Sequence, residues 1–313
     1  MKIGVDIGGM SIKIGLVNEK NEILAKKVIP TETDIAYQKM IKKIGNAVRE
    51  LLEEENITLK DCDGVGIGCP GMIDDENGVV IYSNNIRWKE VPLAREMKKY
   101  LDTEIRIAND ADAAALGEVC AGAAKDTEDA VLLTLGTGVG SGVILKRKIF
   151  HGALVGGCEL GHISINYNGV PCTCGRKGCF EMYASASALL RIAREAAKEY
   201  PESVMNEMCG YDLTKMSGKI PFDAAKQDDA AGKKALEEYE DYLACGIANV
   251  INIFRPQKVI IGGGVAKQKE NLTDPLQERV TKLCFGGESE QIAQIVTSEL
   301  GNDAGIIGAA NLV

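Results

Sequence analysis

The stretch DIGGMSIKIGLV at residues 6–17 has a counterpart in TLGTGVGSGVIL at residues 134–145, which lies 128 residues further along the chain. In both stretches a short apolar strand enters a glycine turn, and a second strand follows. A repeated hairpin of this kind predicts two related halves, each of which brings the backbone amides of a glycine loop toward a shared cleft.

The segments around the two hairpins alternate between strand and helix patterns, which indicates an α/β layer fold. A helical pattern over residues 231–254 places several apolar side chains on one face, and we expect them to pack in the core. They are Leu243, Ile247, Val250, Ile251 and Phe254. The predicted strands outside the repeat cover residues 23–28, 65–69, 104–108, 258–261 and 293–297. The predicted helices lie near 34–55, 92–101, 183–198 and 231–254, with others beginning at 109–110 and near 303.

The composition is that of an ordinary globular protein, with 45% hydrophobic and 26% charged residues in a chain of 313, which is long enough for two domains. The formal net charge of −9, without any basic run, argues against nucleic acid as a direct partner. Ten cysteines are too few for a disulfide scaffold, and the first residues lack a signal-peptide pattern. These two features together lead us to expect a cytoplasmic protein. Because the apolar stretches are only of strand length, we expect no membrane span.

Glycine loops follow three of the predicted strands. Glycine allows the backbone to approach phosphate oxygens and direct its N–H groups at them, although any single loop is equally compatible with a tight turn. Three loops together favour nucleotide binding, and Asp6, which has no evident partner, would lie near the phosphates through Mg²⁺. The loops are Gly8-Gly9, Gly136-x-Gly138-x-Gly140-x-Gly142 and Gly262-Gly263-Gly264.

A cluster of thiols and one of only two histidines lies between residues 162 and 179. Cys172, Cys174 and Cys179 are interleaved with glycines that allow the loop to wrap around an ion, and His162 precedes them. Three thiolates and an imidazole form a set that binds zinc in a closed, structural site. The alternatives are buried inert cysteines or a redox pair.

Polar residues also stand where a strand gives way to a helix, at Asn109-Asp110. Both residue types are preferred helix caps, and a carboxylate at this place is also suited to be the general base for a hydroxyl nucleophile. The two roles can be shared, with one residue capping and the other acting on substrate. Glu159 and Glu181 flank the predicted zinc loop, and taken alone each would be interpreted as a solvated surface acid.

The order and spacing of these segments resemble the ROK family, which comprises bacterial sugar kinases and sugar-responsive repressors. The resemblance spans the whole chain and implies an α/β, actin-like ATPase fold, a duplicated ribonuclease-H-like arrangement with a cleft between two lobes. The implied lobes are a small one of residues 1–117 and 301–313 and a large one of residues 118–300, which carries the zinc and nucleotide loops. The matching segments are Asp6-Ile7-Gly8-Gly9, Asn109-Asp110, residues 135–142, Glu159-x-Gly161-His162 and Cys172-x-Cys174-Gly175-x-x-Gly178-Cys179-x-Glu181.

Carried over position by position, the resemblance makes Asp110 a sugar contact and the catalytic base, which takes the proton of the sugar 6-hydroxyl as that hydroxyl attacks the γ-phosphate of ATP. His162 would contact the sugar and also hold structural zinc with Cys172, Cys174 and Cys179, and Mg²⁺ would accompany ATP. The other implied sugar contacts are Gly71, Asn84, Asn109, Glu159 and Glu181. The implied nucleotide contacts are Asp6, Gly8, Gly9, Ser11, Gly136, Thr137, Gly138, Gly140, Gly263 and Gly264.

One position departs from the family pattern, because Met10 stands where most members have threonine and Ser11 is the hydroxyl that could replace it. The first strand begins at residue 2, which leaves no helix-turn-helix segment before it and favours a kinase over a repressor. The Glu-x-Gly-His segment with the complete cysteine loop is typical of the glucokinase branch, so glucose is the expected substrate.

Several alternatives stay open. Kinases for N-acetylmannosamine, N-acetylglucosamine, allose or fructose share most of these residues, and a non-catalytic sugar sensor is a further alternative. Some relatives accept polyphosphate in place of ATP. The family habit implies a homodimer, and the sequence assigns no role to His151.

Overall fold

The computed structural model describes residues 1–288 and 291–313. Two compact units divide the chain: the first comprises Met1–Leu132, Gly142–Cys158 and Glu299–Val313, and the second comprises Leu133–Ser141 and Glu159–Ser298. The lobe limits implied by the family resemblance, 1–117 with 301–313 and 118–300, stay a prediction.

The described residues form these strands and helices. The strands are β1 (Lys2–Ile7), β2 (Ser11–Val17), β3 (Ile23–Pro30), β4 (Val65–Cys69), β5 (Met72–Asp74), β6 (Val79–Ser83), β7 (Trp88–Val91), β8 (Ile105–Asn109), β9 (Ala130–Leu135), β10 (Val139–Leu145), β11 (Lys148–Ile149), β12 (Lys258–Gly263) and β13 (Gln294–Thr297). The helices are α1 (Tyr37–Glu54), α2 (Leu93–Met97), α3 (Asp110–Ala121), α4 (Glu181–Ala184), α5 (Ala186–Glu199), α6 (Val204–Met208), α7 (Ile220–Ala225), α8 (Ala230–Phe254), α9 (Glu270–Leu283) and α10 (Ala304–Ala310).

Two five-stranded sheets have the same strand order. One is ordered β3-β2-β1-β4-β8 and the other β11-β10-β9-β12-β13. Within the first sheet β1 pairs antiparallel with β2 and parallel with β4, and β4 pairs parallel with β8. The ends of β9 and β10 lie 128 residues after those of β1 and β2. The predicted duplicated hairpin and α/β class are therefore confirmed.

Glycines allow helix α10 to lie directly on the first sheet. A Cβ at Gly4 of β1 would lie 2.0 Å from the carbonyl oxygen of Ile306, and one at Gly66 of β4 would lie 1.7 Å from that of Ala309. Every residue of β4 is buried, as expected for a central parallel strand. Because β1, β4 and β8 are parallel, their carboxyl ends lie at one edge of the sheet, where candidate site residues of the first unit lie.

Helix α8 is the longest helix of the second unit. Asp229 caps it by accepting a hydrogen bond from the backbone N–H of Gly232 at 2.8 Å. The expectation that its apolar face packs in the core is confirmed for Leu243, Ile247, Val250 and Ile251, which are buried, whereas Phe254 is half-buried at the end of the helix. Among the described residues, none of the helices is at once long and apolar enough to cross a bilayer.

The region between β4 and β8 differs from the prediction. A three-stranded sheet in the order β5-β6-β7 fills residues 72–91, where no strand was predicted. The helix expected over 92–101 ends at Met97, and the backbone N–H groups of Tyr100 and Leu101 bond back to Met97 in a turn. Strands of three to five residues and a helix of five carry too few periods for a pattern to be recognised.

Candidate substrate and metal sites

Asn109 and Asp110 lie at the junction of β8 and α3. Asn109 is the last residue of β8 and the N-cap of α3: its side-chain oxygen accepts hydrogen bonds from the backbone N–H groups of Ala111 at 2.8 Å and Asp112 at 3.3 Å. Its amide nitrogen donates to the carbonyl oxygen of Gly71 at 3.0 Å. The capping is therefore carried by Asn109, and Asp110 stands as the first helical residue beside it.

Gly71 follows β4 in a conformation that requires glycine. Its φ is +113°, and a Cβ would lie 2.2 Å from the carbonyl oxygen of Tyr82. The structure thus brings together Gly71 and Asn109, two of the predicted sugar contacts. The third residue of this region, Asn84, is exposed just after β6 and accepts a hydrogen bond from the Tyr82 hydroxyl at 3.4 Å.

Cys69 lies beside the predicted catalytic carboxylate. It pairs with Asn109 across β4 and β8 and is completely buried. Burial, and to a smaller extent the charge of Asp110, raises the pKa of the Cys69 thiol well above its usual range. Cys69 is therefore a neutral neighbour of Asp110, unsuited to nucleophilic chemistry.

The expectation that Asp6 lacks a partner is wrong. Its carboxylate lies 2.9 Å from Nζ of Lys13, and both side chains are largely buried. The two residues are directly opposite in the β1–β2 register, where opposite charges attract. If the residues of the two strands are paired outward from the glycine turn, the sequence itself places Asp6 opposite Lys13.

The first glycine loop is held by backbone bonds and by one side chain. Gly8 N–H donates to the carbonyl oxygen of Ser11 at 3.0 Å, and the Thr31 hydroxyl donates to the carbonyl oxygen of Gly8 at 2.7 Å. A Cβ at Gly9 would meet nothing within 4 Å, and the Met10 side chain is 90% exposed. The loop therefore has open space around Gly9 and carries an apolar side chain where the family has a hydroxyl.

The four predicted metal ligands come together in the second unit. The ligand atoms of His162, Cys172, Cys174 and Cys179 all lie within 4.8 Å of one another. Sγ of Cys172 is 3.7 Å from Nδ1 of His162, and Sγ of Cys174 is 3.6 Å from Sγ of Cys179. Zinc–sulfur bonds of about 2.3 Å give tetrahedron edges of about 3.8 Å, so the arrangement fits a four-coordinate ion. All ten cysteines are free thiols, and the redox pair stays an alternative.

The loop around these ligands is shaped by glycines. Gly175 and Gly178 have φ of +88° and +71°, and a Cβ at Gly178 would lie 1.6 Å from the carbonyl oxygen of Asn166. Burial raises the pKa of the Cys179 thiol to about 12, whereas a hydrogen bond from the backbone of Arg176 lowers the pKa of Cys174. A cation among the ligands would favour the thiolate form that Cys179 alone resists.

Glu159 and Glu181 are both placed close to the second glycine loop. Oε2 of Glu181 accepts a hydrogen bond from the backbone N–H of Val139 at 3.1 Å, and its Oε1 lies 4.0 Å from Sγ of Cys172. Glu159 is exposed and precedes the short 3₁₀ helix Leu160–His162, whose first N–H donates to the Ser141 hydroxyl at 3.1 Å. The predicted sugar contacts of this unit therefore adjoin a predicted nucleotide loop.

A cavity of about 560 Å³ opens beside the remaining glycine loops in the second unit. Gly264 lines it, and Gly263, with φ of +87°, would place a Cβ 2.3 Å from the carbonyl oxygen of Leu135. Gly136 accepts a hydrogen bond from the N–H of Ala186 at 2.9 Å. The sequence analysis missed most of the lining, because it comes from separate elements without a shared local pattern: Ala186, Leu190, Lys219, Lys226, Lys267 and Asn271.

His151, which had no predicted role, lies between two carboxylates of the first unit. Its Nε2 is 3.4 Å from Asp75 and its Nδ1 is 3.7 Å from Asp112, which is buried two residues after Asp110. The imidazole thus links the β5–β6 turn to the first turn of α3.

Comparison with known proteins gives full-length matches. The model of the ROK family matches residues 2–313. A glucokinase from Thermotoga maritima is 39% identical over 99% of this chain and 96% of its own length. A xylose repressor from Caldicellulosiruptor bescii is 29% identical over 99% of this chain and 77% of its own length.

A solved structure extends the likeness to the fold. The ROK family glucokinase from Streptomyces griseus, in complex with glucose and AMPPNP, superposes with a TM-score of 0.80 and 33% identity, covering 100% of this chain and 98% of the other. With the two sheets of identical strand order, this match confirms the predicted actin-like ATPase fold, a duplicated ribonuclease-H-like arrangement.

Proposed function

The chain belongs to the ROK family, and on that premise we propose that it is an ATP-dependent glucokinase, which transfers the γ-phosphoryl group of ATP to the 6-hydroxyl of glucose. The observation that carries the proposal is the likeness over the whole chain to a glucokinase structure that holds glucose and AMPPNP. Glucokinases from Thermotoga maritima, Halalkalibacterium halodurans and Streptomyces coelicolor match the chain at 32–39% identity.

Asp110 is the proposed general base. Asn109 supplies the capping oxygen at the start of α3, and one oxygen of the Asp110 carboxylate accepts the N–H of Ala111 at 3.1 Å. A carboxylate has further accepting positions, and we propose that Asp110 uses one of them to take the proton of the 6-hydroxyl. As that proton moves to Asp110, the hydroxyl oxygen bonds to the γ-phosphorus, and the bond to the β,γ-bridging oxygen breaks to release ADP. Asn109 and Gly71, joined by their hydrogen bond, would contact the sugar beside it.

The glycine loops are proposed to bind the phosphates through backbone N–H groups, which need no hydroxyl at Met10. Mg²⁺ bound with ATP would supply charge neutralisation of the phosphates. The 560 Å³ cavity beside Gly264 would receive the nucleoside. Asp6, already paired with Lys13, would act as part of that ion pair.

We also propose that His162, Cys172, Cys174 and Cys179 hold a structural zinc ion. With four protein ligands the ion has no open position for chemistry. Its contribution would be to order the loop and so to orient His162 and the adjoining Glu181 toward sugar hydroxyls. Glu159 would contact the same sugar. A homodimer, which rests on the family resemblance, and a cytoplasmic location, which rests on the sparse cysteines and the lack of a signal-peptide pattern, complete the proposal.

A panel of sugars tests the proposed substrate. ADP release would be coupled to a detectable reaction and kcat/KM ranked for glucose, fructose, allose, N-acetylmannosamine and N-acetylglucosamine, with ATP and polyphosphate compared as donors. We expect glucose with ATP to rank first. Turnover of glucose at least 100-fold below that of another sugar, about 2.7 kcal/mol in transition-state stabilisation, would transfer the proposal to that sugar. Binding of glucose without any phosphoryl transfer would indicate a sensor.

A further inference from the structure

Glu181, the first residue of α4, joins the predicted sugar contacts to a predicted nucleotide loop. One oxygen of its carboxylate accepts the backbone N–H of Val139 at 3.1 Å, and the other faces Cys172 of the proposed zinc loop at 4.0 Å. A carboxylate can accept hydrogen bonds at both oxygens at once, so it can hold Val139 while it receives a sugar hydroxyl.

Gly138 makes this contact possible. A Cβ at Gly138 would lie 2.2 Å from Oε2 of Glu181 and 2.9 Å from its Cδ, so any side chain would displace the carboxylate. Gly136, two residues earlier in the same loop, would place its Cβ in open space, with nothing within 4 Å. Neither glycine has a positive φ, so alanine is compatible with the backbone at both positions.

A second segment, which includes Leu160 and Gly161, packs against the same stretch of the loop. Leu160 donates its N–H to the Ser141 hydroxyl at 3.1 Å, and a Cβ at Gly161 would lie 2.3 Å from the carbonyl oxygen of Val139. The Val139 residue is thus bonded at its N–H by Glu181 and approached at its carbonyl by Gly161. Both segments that carry sugar contacts in this unit pack on residues 138–141.

We infer that Glu181 couples the two substrates of the proposed kinase, so that glucose and ATP each tighten the binding of the other. The inference rests on the proposed function. A sugar hydroxyl that donates to Glu181 restrains the carboxylate, and the restrained carboxylate holds the Val139 N–H and with it the loop at 136–140. The substrate that binds second therefore meets a loop that is already ordered and does not bear the entropic cost of ordering it. By linkage, each substrate changes the affinity of the other by the same factor.

The test is calorimetric titration of the full chain, loaded with zinc, with glucose and with a non-hydrolysable ATP analogue, each alone and in the presence of the other. In the wild type we expect each ligand to lower the Kd of the other by the same factor, about fivefold or more. Gly138→Ala should weaken glucose binding even without nucleotide, because its methyl displaces Glu181. Gly136→Ala is the matched control, for which we expect the wild-type glucose Kd without nucleotide.

Glu181→Gln provides a second, independent variant. Glutamine keeps the shape but replaces one of the two accepting oxygens by an NH2 donor, so the side chain no longer has an acceptor at both the Val139 end and the opposite end. We expect its coupling factor to fall to about 1 by the loss of that shared acceptor. If Glu181→Gln binds glucose too weakly for a coupling factor to be measured, the glucose Kd of Gly138→Ala compared with that of Gly136→Ala decides whether the inference holds.

Equal glucose affinities in the two alanine variants, or wild-type coupling in Glu181→Gln, would overturn the inference and leave the kinase proposal standing. A wild-type chain that binds both ligands with a coupling factor of 1 would do the same. The proposed function itself would fail in a separate measurement, if no hexose received phosphate from ATP.

Discussion

The side-chain amide of Asn109 donates a hydrogen bond to the carbonyl oxygen of Gly71 at 3.0 Å, while its oxygen accepts from the backbone N–H of Ala111 at 2.8 Å. One side chain thereby ties the turn after β4 to the start of α3. Because both segments carry predicted sugar contacts, we expect a substitution in either segment to change the affinity for the sugar.

Gly71→Ala tests the turn. The φ of +113° and the 2.2 Å approach to the Tyr82 carbonyl oxygen leave no room for a methyl group. We expect the free energy of unfolding, measured by urea denaturation, to fall by about 2 kcal/mol or more, and KM for glucose to rise. Gly218→Ala is the control, since its Cβ would meet only Leu189 at 3.7 Å. Equal stability in the two variants would contradict the role given to Gly71.

Asp110→Asn tests the general base. The substitution keeps the size of the side chain, and Asn109 keeps the cap, so we expect a folded protein whose glucose Kd changes little. The kcat measured by ADP release should fall by about 10²- to 10⁴-fold, because no carboxylate remains to take the proton. Asn109→Ala should behave differently, with a loss of about 1 kcal/mol of stability from the cap. Wild-type kcat in Asp110→Asn would exclude the proposed role.

Cys174→Ser tests the metal. Wild-type protein should contain one zinc per chain by elemental analysis, and the variant much less, because a serine hydroxyl is a poor replacement for thiolate. We expect a lower unfolding temperature and a higher KM for glucose, since the loop that orients His162 loses its ion. Cys245→Ser, outside the ligand set, should retain its zinc. Far less than one zinc in the wild type, or full zinc in Cys174→Ser, would refute the proposed site.

Glu240 supplies a pH dependence of stability in the second unit. Its carboxylate is buried and accepts from Nη2 of Arg279 at 3.2 Å. Burial raises the pKa of Glu240 above its usual 4.5, and Arg279 offsets only part of the effect. The folded state therefore holds this proton more tightly than the unfolded state. The corresponding stabilisation is complete below about pH 4.5 and is lost as pH rises through the folded-state pKa.

Glu240→Gln should remove this contribution, so the difference in unfolding free energy between wild type and variant should shift against the wild type as pH rises from about 4.5 to 7. Urea midpoints at several pH values would measure it. Glu238→Gln, an exposed position on the same helix, should follow the wild type throughout. Parallel curves for wild type and Glu240→Gln would show that the burial of this carboxylate has no net effect on its titration.

Local patterns made much of this structure predictable. The glycine hairpins, the cap at Asn109 and the cluster of the four predicted metal ligands are each encoded within a short stretch, where residue type and spacing determine the geometry. The lining of the 560 Å³ cavity is different in kind, because Leu190, Lys226 and Asn271 come from three separate segments. Only tertiary packing brings these residues together, and no periodicity in the sequence predicts that they are neighbours.

Two contacts were not predicted, each for a different reason. The partner of Asp6 was overlooked although Lys13 lies across the turn from it, because the carboxylate was considered without its register. The bond from Val139 to Glu181 spans 42 residues, and no spacing rule connects a glycine loop to the first residue of a helix that follows a zinc loop.

Cys174 is the only one of the ten cysteines whose side chain is exposed. A thiol bound to zinc reacts slowly with alkylating reagents, whereas an exposed free thiol of lowered pKa reacts fast. If the proposed zinc binds, the rate at which an adduct forms at residue 174 would report how much of a preparation carries the ion, and mass spectrometry of the labelled chain would separate loaded from empty molecules within one sample.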